Sequence, residues 1–210
     1  MEAIEEVILK CIEDAIHIKE QLIKTSLKVI AQIAEEIIRA YQKGNKVVWF
    51  GNGGSAADAQ HLSCELVGKF YIKRKALESI ALTTNTSILT AIANDYNFSE
   101  VFSRQVEALI KPGDVVIGIS TSGTSQNVLR GLEEAKRRGA ITAAFTGALD
   151  DGKIKIKENV DYLVAMPSTD TPRIQESHIM IGHIICYLVE KKLFGENVDF
   201  SKNRNDGISK

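Results

Sequence analysis

The sequence predicts an α/β fold in which a five-stranded parallel sheet is flanked by helices and preceded by an N-terminal helical segment. Short apolar runs rich in β-branched residues alternate with longer segments of helical periodicity. The strand candidates are apolar almost throughout, which is typical of strands buried on both faces of a sheet. Because each connection is long enough for a helix, we expect right-handed crossovers between parallel strands.

Each element follows from a local pattern. Strands are predicted at 47–50, 79–83, 115–119, 141–145 and 162–166. Helices are predicted at 56–66, 87–94, 99–110, 124–138 and about 172–193. Gly139 suits the position after a helix, while Thr171 and Pro172 suit an N-cap and first turn. The segments 150–152 and 153–157 predict loops.

Residues 2–43 predict a helical hairpin or one broken helix, because their apolar residues follow a three- and four-residue spacing. This is more apolar surface than one sheet layer obviously needs. It favours a role in a helix-bundle subunit interface, with simple cover of the sheet as the alternative. We expect one domain over residues 1–200 and a polar tail over 201–210.

Composition excludes several classes of protein. A formal net charge of −1 on 210 residues gives no sign of a nucleic-acid partner. No apolar run reaches the ~18 residues that a membrane span needs. Three widely spaced cysteines predict small core residues in a reducing compartment rather than a disulfide framework. Without a signal-peptide pattern, the expected location is the cytoplasm.

The segment Gly51–Ser55 follows the first strand and opens a helix. Glycines let a backbone approach a ligand closely, and free N–H groups at a helix start attract anions, so this turn predicts a phosphate site. Ser55 with Asp58 suits an N-cap. The dinucleotide-binding alternative lacks an acid near position 71, and no lysine completes a nucleotide P-loop. A purely structural turn remains open.

A second polar turn, residues 120–125, follows the third strand and carries five hydroxyl groups around Gly123. Hydroxyls and helix N–H groups together can hold a phosphate without lysine. Hydroxyl-rich turns are also common as plain helix caps. Two such turns at the carboxyl ends of parallel strands, however, lie where open α/β sheets bind ligands.

Two helices carry candidate catalytic groups. His61 and Glu65 are four residues apart and therefore share a helix face just after the first turn. His183 interrupts the apolar run of the last helix, where an idle imidazole would be costly to bury. For His178, a core role and a functional role remain equally open.

Together, residues 51–65, 94–95, 120–125 and 168–176 resemble the phosphoheptose isomerase branch of the sugar isomerase (SIS) family. The resemblance covers nearly the whole chain and implies a single SIS-type domain and a homotetramer with active sites between subunits. It implies conversion of sedoheptulose 7-phosphate to D-glycero-D-manno-heptose 7-phosphate, the first step of ADP-heptose and lipopolysaccharide core biosynthesis. The substrate contacts that it implies are Asn52, Gly53, Gly54, Ser55, Glu65, Asn94, Asp95, Ser120, Thr121, Ser122, Ser125 and Gln175.

The same resemblance implies Glu65 and His183 as the catalytic pair and zinc as a cofactor. The implied zinc ligands are His61, Glu65, Gln175 and His183. Gln175 and His183 are eight residues apart, roughly 12 Å along an ideal helix. One ion bound by both therefore requires a long reach, a helix irregularity or ligands from two subunits.

An aldose–ketose isomerase moves a proton between C1 and C2 through an enediol, so it needs a base, an acid and charge stabilisation. We assign Glu65 as the C–H base and His183 as the proton donor to oxygen. The alternative is a non-catalytic regulator on the same fold that binds phosphosugars or docks other proteins. A mere binder needs only the phosphate loops, so the presence of both groups argues against it.

Overall fold

The computed structural model describes residues 3–149 and 154–195. In this part of the chain, five parallel strands form one sheet in the order β2-β1-β3-β4-β5. The strands are β1 (Val47–Gly51), β2 (Ser79–Ala81), β3 (Val115–Ser120), β4 (Ile141–Thr146) and β5 (Tyr162–Ala165). The predicted α/β class and the five parallel strands are confirmed.

The helices of the described residues are α1 (Ile4–Thr25), α2 (Leu27–Gln42), α3 (Gly54–Val67), α4 (Thr86–Asp95), α5 (Ser103–Leu109), α6 (Gln126–Arg137), α7 (Ile154–Glu158) and α8 (Thr171–Phe194). A short 3-10 helix spans Phe98–Glu100. None of these helices is long and apolar enough to cross a membrane.

The sheet has its topological switch point at β1. The chain moves from β1 outward to β2, then returns across β1 to β3, and β1 pairs with both neighbours. Gly51 lies opposite Ile119 at the carboxyl end of the β1–β3 pair. Because the following connections leave this point in opposite directions, a crevice opens there, which is the usual ligand position in such sheets.

Both faces of the sheet are buried. Trp49 and Ile117 point into a core shared with α2, α3 and α8. Val48, Phe50 and Val116 point into a second core shared with α5 and α6. Neighbouring residues of one strand face opposite sides, so a strand buried on both sides has to be apolar throughout.

The N-terminal segment is one broken helix rather than a hairpin. Only Ser26 separates α1 from α2, and one residue cannot reverse the chain direction. The Arg173 guanidinium at the start of α8 donates to the Cys11 carbonyl, whereas Tyr41 and Leu193 line one cleft near the end of α8. The two helices therefore follow α8 from its beginning to its end.

Several local expectations were wrong. Of the segment 153–157, predicted as loop, residues 154–157 belong to the helix α7, and residue 153 lies outside the described residues. The N-cap of α8 is Asp170, not Thr171. Cys11 and Cys64 are exposed, so only Cys186 is a core residue. Gly139 does follow the end of α6 with φ of 77°, as predicted. The predicted loop 150–152 and tail 201–210 lie outside the described residues.

Candidate active site

The turn after β1 depends on two glycines. A Cβ on Gly51 would lie 2.7 Å from the Ile119 carbonyl oxygen and 2.8 Å from Ser55 Cβ, so only glycine lets β1, β3 and α3 come this close. Gly53 has φ of 55°, a left-handed conformation that favours glycine. Gly53 is also the N-cap of α3. The expectation that Ser55 caps this helix was wrong, because the helix begins one residue before Ser55.

The start of α3 presents free donors to the crevice. Within the described part of the chain, the N–H groups of Gly53 and Gly54 have no protein acceptor. Ser55 is 4 % exposed and lies inside the first turn. Unpaired N–H groups at a helix N-terminus, together with the helix dipole, favour a bound phosphate.

The turn after β3 is a hydroxyl cluster held by internal hydrogen bonds. Ser120 Oγ lies 3.1 Å from Ser125 Oγ and 3.4 Å from Ser122 Oγ. Gly123 N donates to Ser120 Oγ, and Thr124 N donates to Ser122 Oγ. These bonds hold the loop in one conformation with the Ser122 side chain exposed. Thr121, between the serines, ties the turn to β4 because its carbonyl accepts from Gly147 N.

An amide pair that the sequence did not reveal joins the two turns. The side chains of Asn52 and Asn127 donate to each other reciprocally, each bond being 2.8 Å. Asn127 is 3 % exposed and its Oδ1 also accepts from Val128 N. No local pattern marks Asn127, because its partner lies 75 residues away. The two predicted phosphate loops are thus one continuous surface.

His61, Glu65 and His183 converge two turns along α3 from this surface. His61 Nε2 lies 2.7 Å from His183 Nε2 and 3.4 Å from Glu65 Oε1. The side chain of His61 is 46 % exposed and that of Glu65 is 20 % exposed. The predicted helix-face pair and the predicted polar interruption of α8 therefore meet in space, and their groups remain open to a ligand.

The parallel packing of α3 and α8 brings these groups together. At one end of the contact, Gly54 of α3 lies against the Gln175 side chain of α8. Two turns further along both helices, Gly182 of α8 lies against Leu62 of α3. Any Cβ on Gly182 would overlap the Leu62 side chain. The absence of a side chain at Gly182 lets the two helices approach and sets His183 beside His61.

Gln175 does not join the cluster within one chain. It lies against Gly54 at the phosphate-loop end of α3, whereas His183 is about 12 Å further along α8. Of the four implied zinc ligands, the structure thus brings together three. A fourth ligand from Gln175 would require another copy of the chain.

Burial perturbs two titratable groups of the site. Burial, followed by the nearby His61, lowers the pKa of His183, and Glu65 partly offsets this. Burial raises the pKa of Asp58 to about 6, with a smaller opposing effect of His61. Asp58 Oδ2 is buried without a hydrogen-bond partner among the described residues. Among the described residues no hydrogen bond of the Asp58 carboxylate caps α3, so Asp58 does not serve the capping role expected for it.

His178 belongs to the core. It is fully buried, and its Nε2 donates to the Thr146 carbonyl at 3.2 Å. Burial lowers the pKa of His178 to about 4, which keeps the ring neutral. Of the two roles left open by the sequence, this environment matches the core role.

Asn94 and Asp95 lie apart from the two loops. They end α4, are exposed and are bonded to each other through Asn94 Nδ2 and Asp95 Oδ1 at 2.8 Å. Within the described residues, no hydrogen bond links them to either loop. Within one chain, Asn94 and Asp95 therefore do not join the surface formed by the two phosphate loops.

The donor set of the cluster suits a metal ion. The ligand atoms of His61, Glu65 and His183 lie within 4.8 Å of one another. Two imidazole nitrogens and one carboxylate oxygen form a common ligand set of catalytic zinc sites, which leave one position open for substrate.

Comparison with known proteins identifies the family. The model of the SIS domain matches residues 11–147. The chain is 52% identical over 190 residues to a phosphoheptose isomerase of Clostridium acetobutylicum, covering 90% of this chain and 95% of the relative. A relative of the same name from Thermodesulfovibrio yellowstonii is 49% identical over 191 residues, covering 91% of this chain and 94% of the relative.

A solved structure leads to the same family. The phosphoheptose isomerase GmhA of Neisseria gonorrhoeae superposes with a TM-score of 0.83 at 40% identity. The match covers 90% of this chain and 100% of that structure. The chain belongs to the SIS domain family and, within it, to the phosphoheptose isomerases.

Proposed function

We propose that the protein converts sedoheptulose 7-phosphate to D-glycero-D-manno-heptose 7-phosphate through an enediol, in the cytoplasm, as the first step toward ADP-heptose and the lipopolysaccharide core. The observation that carries the proposal is the spacing between the phosphate loops and the Glu65–His183 group. His61 lies seven residues from Gly54, roughly 10 Å along α3. A seven-carbon chain with a terminal phosphate has its reacting carbons at such a distance.

The two catalytic groups have complementary roles. The Glu65 carboxylate takes the proton from one of C1 and C2 and returns it to the other. Burial lowers the pKa of His183, which favours the neutral imidazole. A neutral imidazole still carries one N–H, which it can donate to the oxygen of the developing enediolate.

A zinc ion is part of the proposal. His61, Glu65 and His183 would hold it, and the ion would act as a Lewis acid that polarises the substrate carbonyl. Glu65 has two carboxylate oxygens, so one remains available as the base. Calorimetric titration of the metal-free protein with Zn²⁺ tests the site, and loss of binding in His61→Ala is the expected result. Undiminished binding in that variant would contradict the ligand set.

The decisive experiment combines substrate choice with one conservative substitution. Purified protein is assayed against ketose phosphates of five, six and seven carbons, and we expect the seven-carbon substrate to have the highest kcat/KM. Glu65→Gln should abolish turnover while substrate still binds, because an amide keeps the shape but cannot accept the proton. His183→Gln should lower kcat similarly. In D₂O, the transferred position should acquire deuterium.

An exposed carboxylate away from the site provides the control. Glu107 lies on α5 and is exposed, so Glu107→Gln should keep wild-type turnover. If Glu65→Gln also keeps near-wild-type turnover, then Glu65 is not the base, and Asp95 or Asp170 is to be tested next.

A further inference from the structure

A fully buried carboxylate, Glu190, organises the loop that follows α3. Its Oε1 accepts from Phe70 N at 3.1 Å, and its Oε2 accepts from Tyr71 N at 2.7 Å and Ile72 N at 3.3 Å. Arg74 Nε donates to the same carboxylate at 3.0 Å. The side chains of Glu190 and Arg74 are 1 % and 2 % exposed. One side chain of α8 thus accepts from four donors within residues 70–74 of a distant loop.

The other nitrogens of Arg74 bind the end of α3. Nη2 donates to the Glu65 carbonyl at 2.8 Å, and Nη1 donates to the Leu66 carbonyl at 2.8 Å. Nη1 also reaches the carbonyls of Gly68 and Lys75, at 3.3 and 3.1 Å. Carbonyls at a helix C-terminus lack partners within the helix and carry partial negative charge, which a guanidinium neutralises well.

This arrangement connects the two catalytic helices. Glu190 lies on α8 seven residues, or two turns, after His183 and on the same helix face. Arg74 links that carboxylate to the backbone of Glu65. Phe70, whose N–H is held by Glu190, packs its ring 5.7 Å from the His183 ring. The carboxylate–guanidinium pair therefore contacts the backbone of one catalytic residue and, through Phe70, the ring of the other.

From these contacts we infer that Arg74 and Glu190 are positioning residues, which set the separation between Glu65 and His183 in the isomerisation. This inference rests on the proposed function, because it takes Glu65 and His183 as the reacting groups. A lysine at position 74 keeps the charge beside Glu190. It cannot, however, present several donors in a fixed plane to the α3 carbonyls. Arg74→Lys thus separates the positioning role from simple neutralisation of Glu190.

The test compares Arg74→Lys with wild type in the conversion of sedoheptulose 7-phosphate. We expect kcat to fall about tenfold to a hundredfold, because small misplacements of reacting groups have effects of this size. KM should stay within about twofold, since the phosphate loops are untouched. Glu190→Gln should also lower kcat. Circular dichroism and thermal unfolding establish that each variant is folded.

A second buried ion pair provides the matched control. Lys46 and Asp114 pair at 2.5 Å with side chains 9 % and 2 % exposed, and they directly precede β1 and β3 at the amino ends of these strands. Asp114→Asn should lower Tm to a similar extent as Glu190→Gln and leave kcat unchanged. An equal fall of kcat in Asp114→Asn, or wild-type kcat in folded Arg74→Lys, would overturn the inference.

Crystal structures of wild type and Arg74→Lys give a readout that is independent of catalysis. The distance between the Glu65 carboxylate and the His183 ring should differ between the two proteins, and an unchanged distance contradicts the positioning role. Glu65→Gln distinguishes the proposed catalytic role of Glu65 from the positioning role of Arg74 and Glu190. If that variant is fully active, the proposed catalytic role fails, while the crystallographic comparison still decides whether Arg74 sets the geometry.

Discussion

His178 shows at the scale of one residue how burial couples protonation to stability. Its pKa is lowered to about 4 in the folded protein, from 6.5, chiefly because burial disfavours the charged ring. The unfolded chain therefore binds a proton between pH 6.5 and 4 while the folded protein does not. This contribution to stability is complete above pH 6.5 and decreases as the pH falls toward 4.

We predict that wild type loses roughly 3 kcal/mol through this single group between pH 6.5 and 4. His178→Leu should lack that part of the pH dependence, whatever its absolute stability. Urea unfolding at several pH values measures the slope, and exposed His17 provides the control through His17→Gln. A variant slope equal to that of wild type would show that His178 is not the group responsible.

Ser122 is the exposed hydroxyl of the second phosphate loop, and its Oγ accepts from Thr124 N at 3.2 Å. We predict that Ser122→Ala raises KM about tenfold or more, because one hydrogen bond to a charged group contributes ~1.5–3 kcal/mol. Initial rates over a range of substrate concentrations measure this effect. Ser87→Ala, at an exposed serine of α4, should leave KM unchanged. If both variants behave alike, Ser122 does not contact the phosphate.

At the scale of elements, the contact between α3 and α8 determines the site. Gly182 allows the contact because Leu62, which is fully buried, occupies the space of a missing Cβ. Alanine is the better helix former by about 1 kcal/mol, but overpacking a core costs about 1–3 kcal/mol. Since Leu62 is fully buried and protein cores are close-packed, we expect the steric term to exceed the propensity gain.

We therefore predict that Gly182→Ala destabilises the protein by up to about 2 kcal/mol and lowers kcat, because His183 moves with α8. Urea unfolding and steady-state kinetics measure both effects. The double variant Gly182→Ala with Leu62→Ala should show a smaller loss than the sum of the two single variants, since they fill and empty the same space. Additive effects would refute the proposed contact.

Two asparagines, Asn85 and Asn97, have a local structural role as helix N-caps. Asn85 Oδ1 accepts from Ile88 N at 3.1 Å as the N-cap of α4. Asn97 Oδ1 accepts from Ser99 N at 2.9 Å as the N-cap of the 3-10 helix. Both residues thus begin helices, a role that asparagine performs well.

At the scale of the whole molecule, α1 is the main feature that one chain leaves uncovered. Its residues Ile8, Ile12 and Ile16, spaced four apart, are 51–54 % exposed. They form one stripe along the helix, and further exposed apolar residues on this segment are Ile4, Val7, Leu9, Ile23 and Leu27. Contiguous apolar surface of this extent typically marks an interface with another chain.

We propose a homotetramer in which residues 2–43 lie in the subunit interface, as the resemblance to the family implies. Light scattering should give the mass of four chains. The double variant Ile8→Glu with Ile12→Glu should give smaller species with lower activity, because active sites of this family are expected between subunits. Glu13→Gln, on the same helix, provides the control. A tetrameric and active double variant would remove α1 from the interface.

The sequence alone determined the features that depend on residues close together in the chain. Features that depend on local spacing could be predicted. They are the strand periodicity, the glycine turn at Gly51–Ser55, the hydroxyl turn at 120–125 and the helix-face pair His61–Glu65. Boundaries such as the start of α3 at Gly54 could not, because neighbouring residues compete for the cap.

Only the tertiary structure decided which distant groups meet. His183 lies 122 residues from His61, and Arg74 lies 116 residues from Glu190. The position of Gln175 beside Gly54, rather than in the His61–Glu65–His183 cluster, follows from how α8 lies along α3. The sequence specifies each helix face, but the distance between faces depends on the packing of side chains such as Leu62 against Gly182. That packing is a property of the whole core, which no local pattern contains.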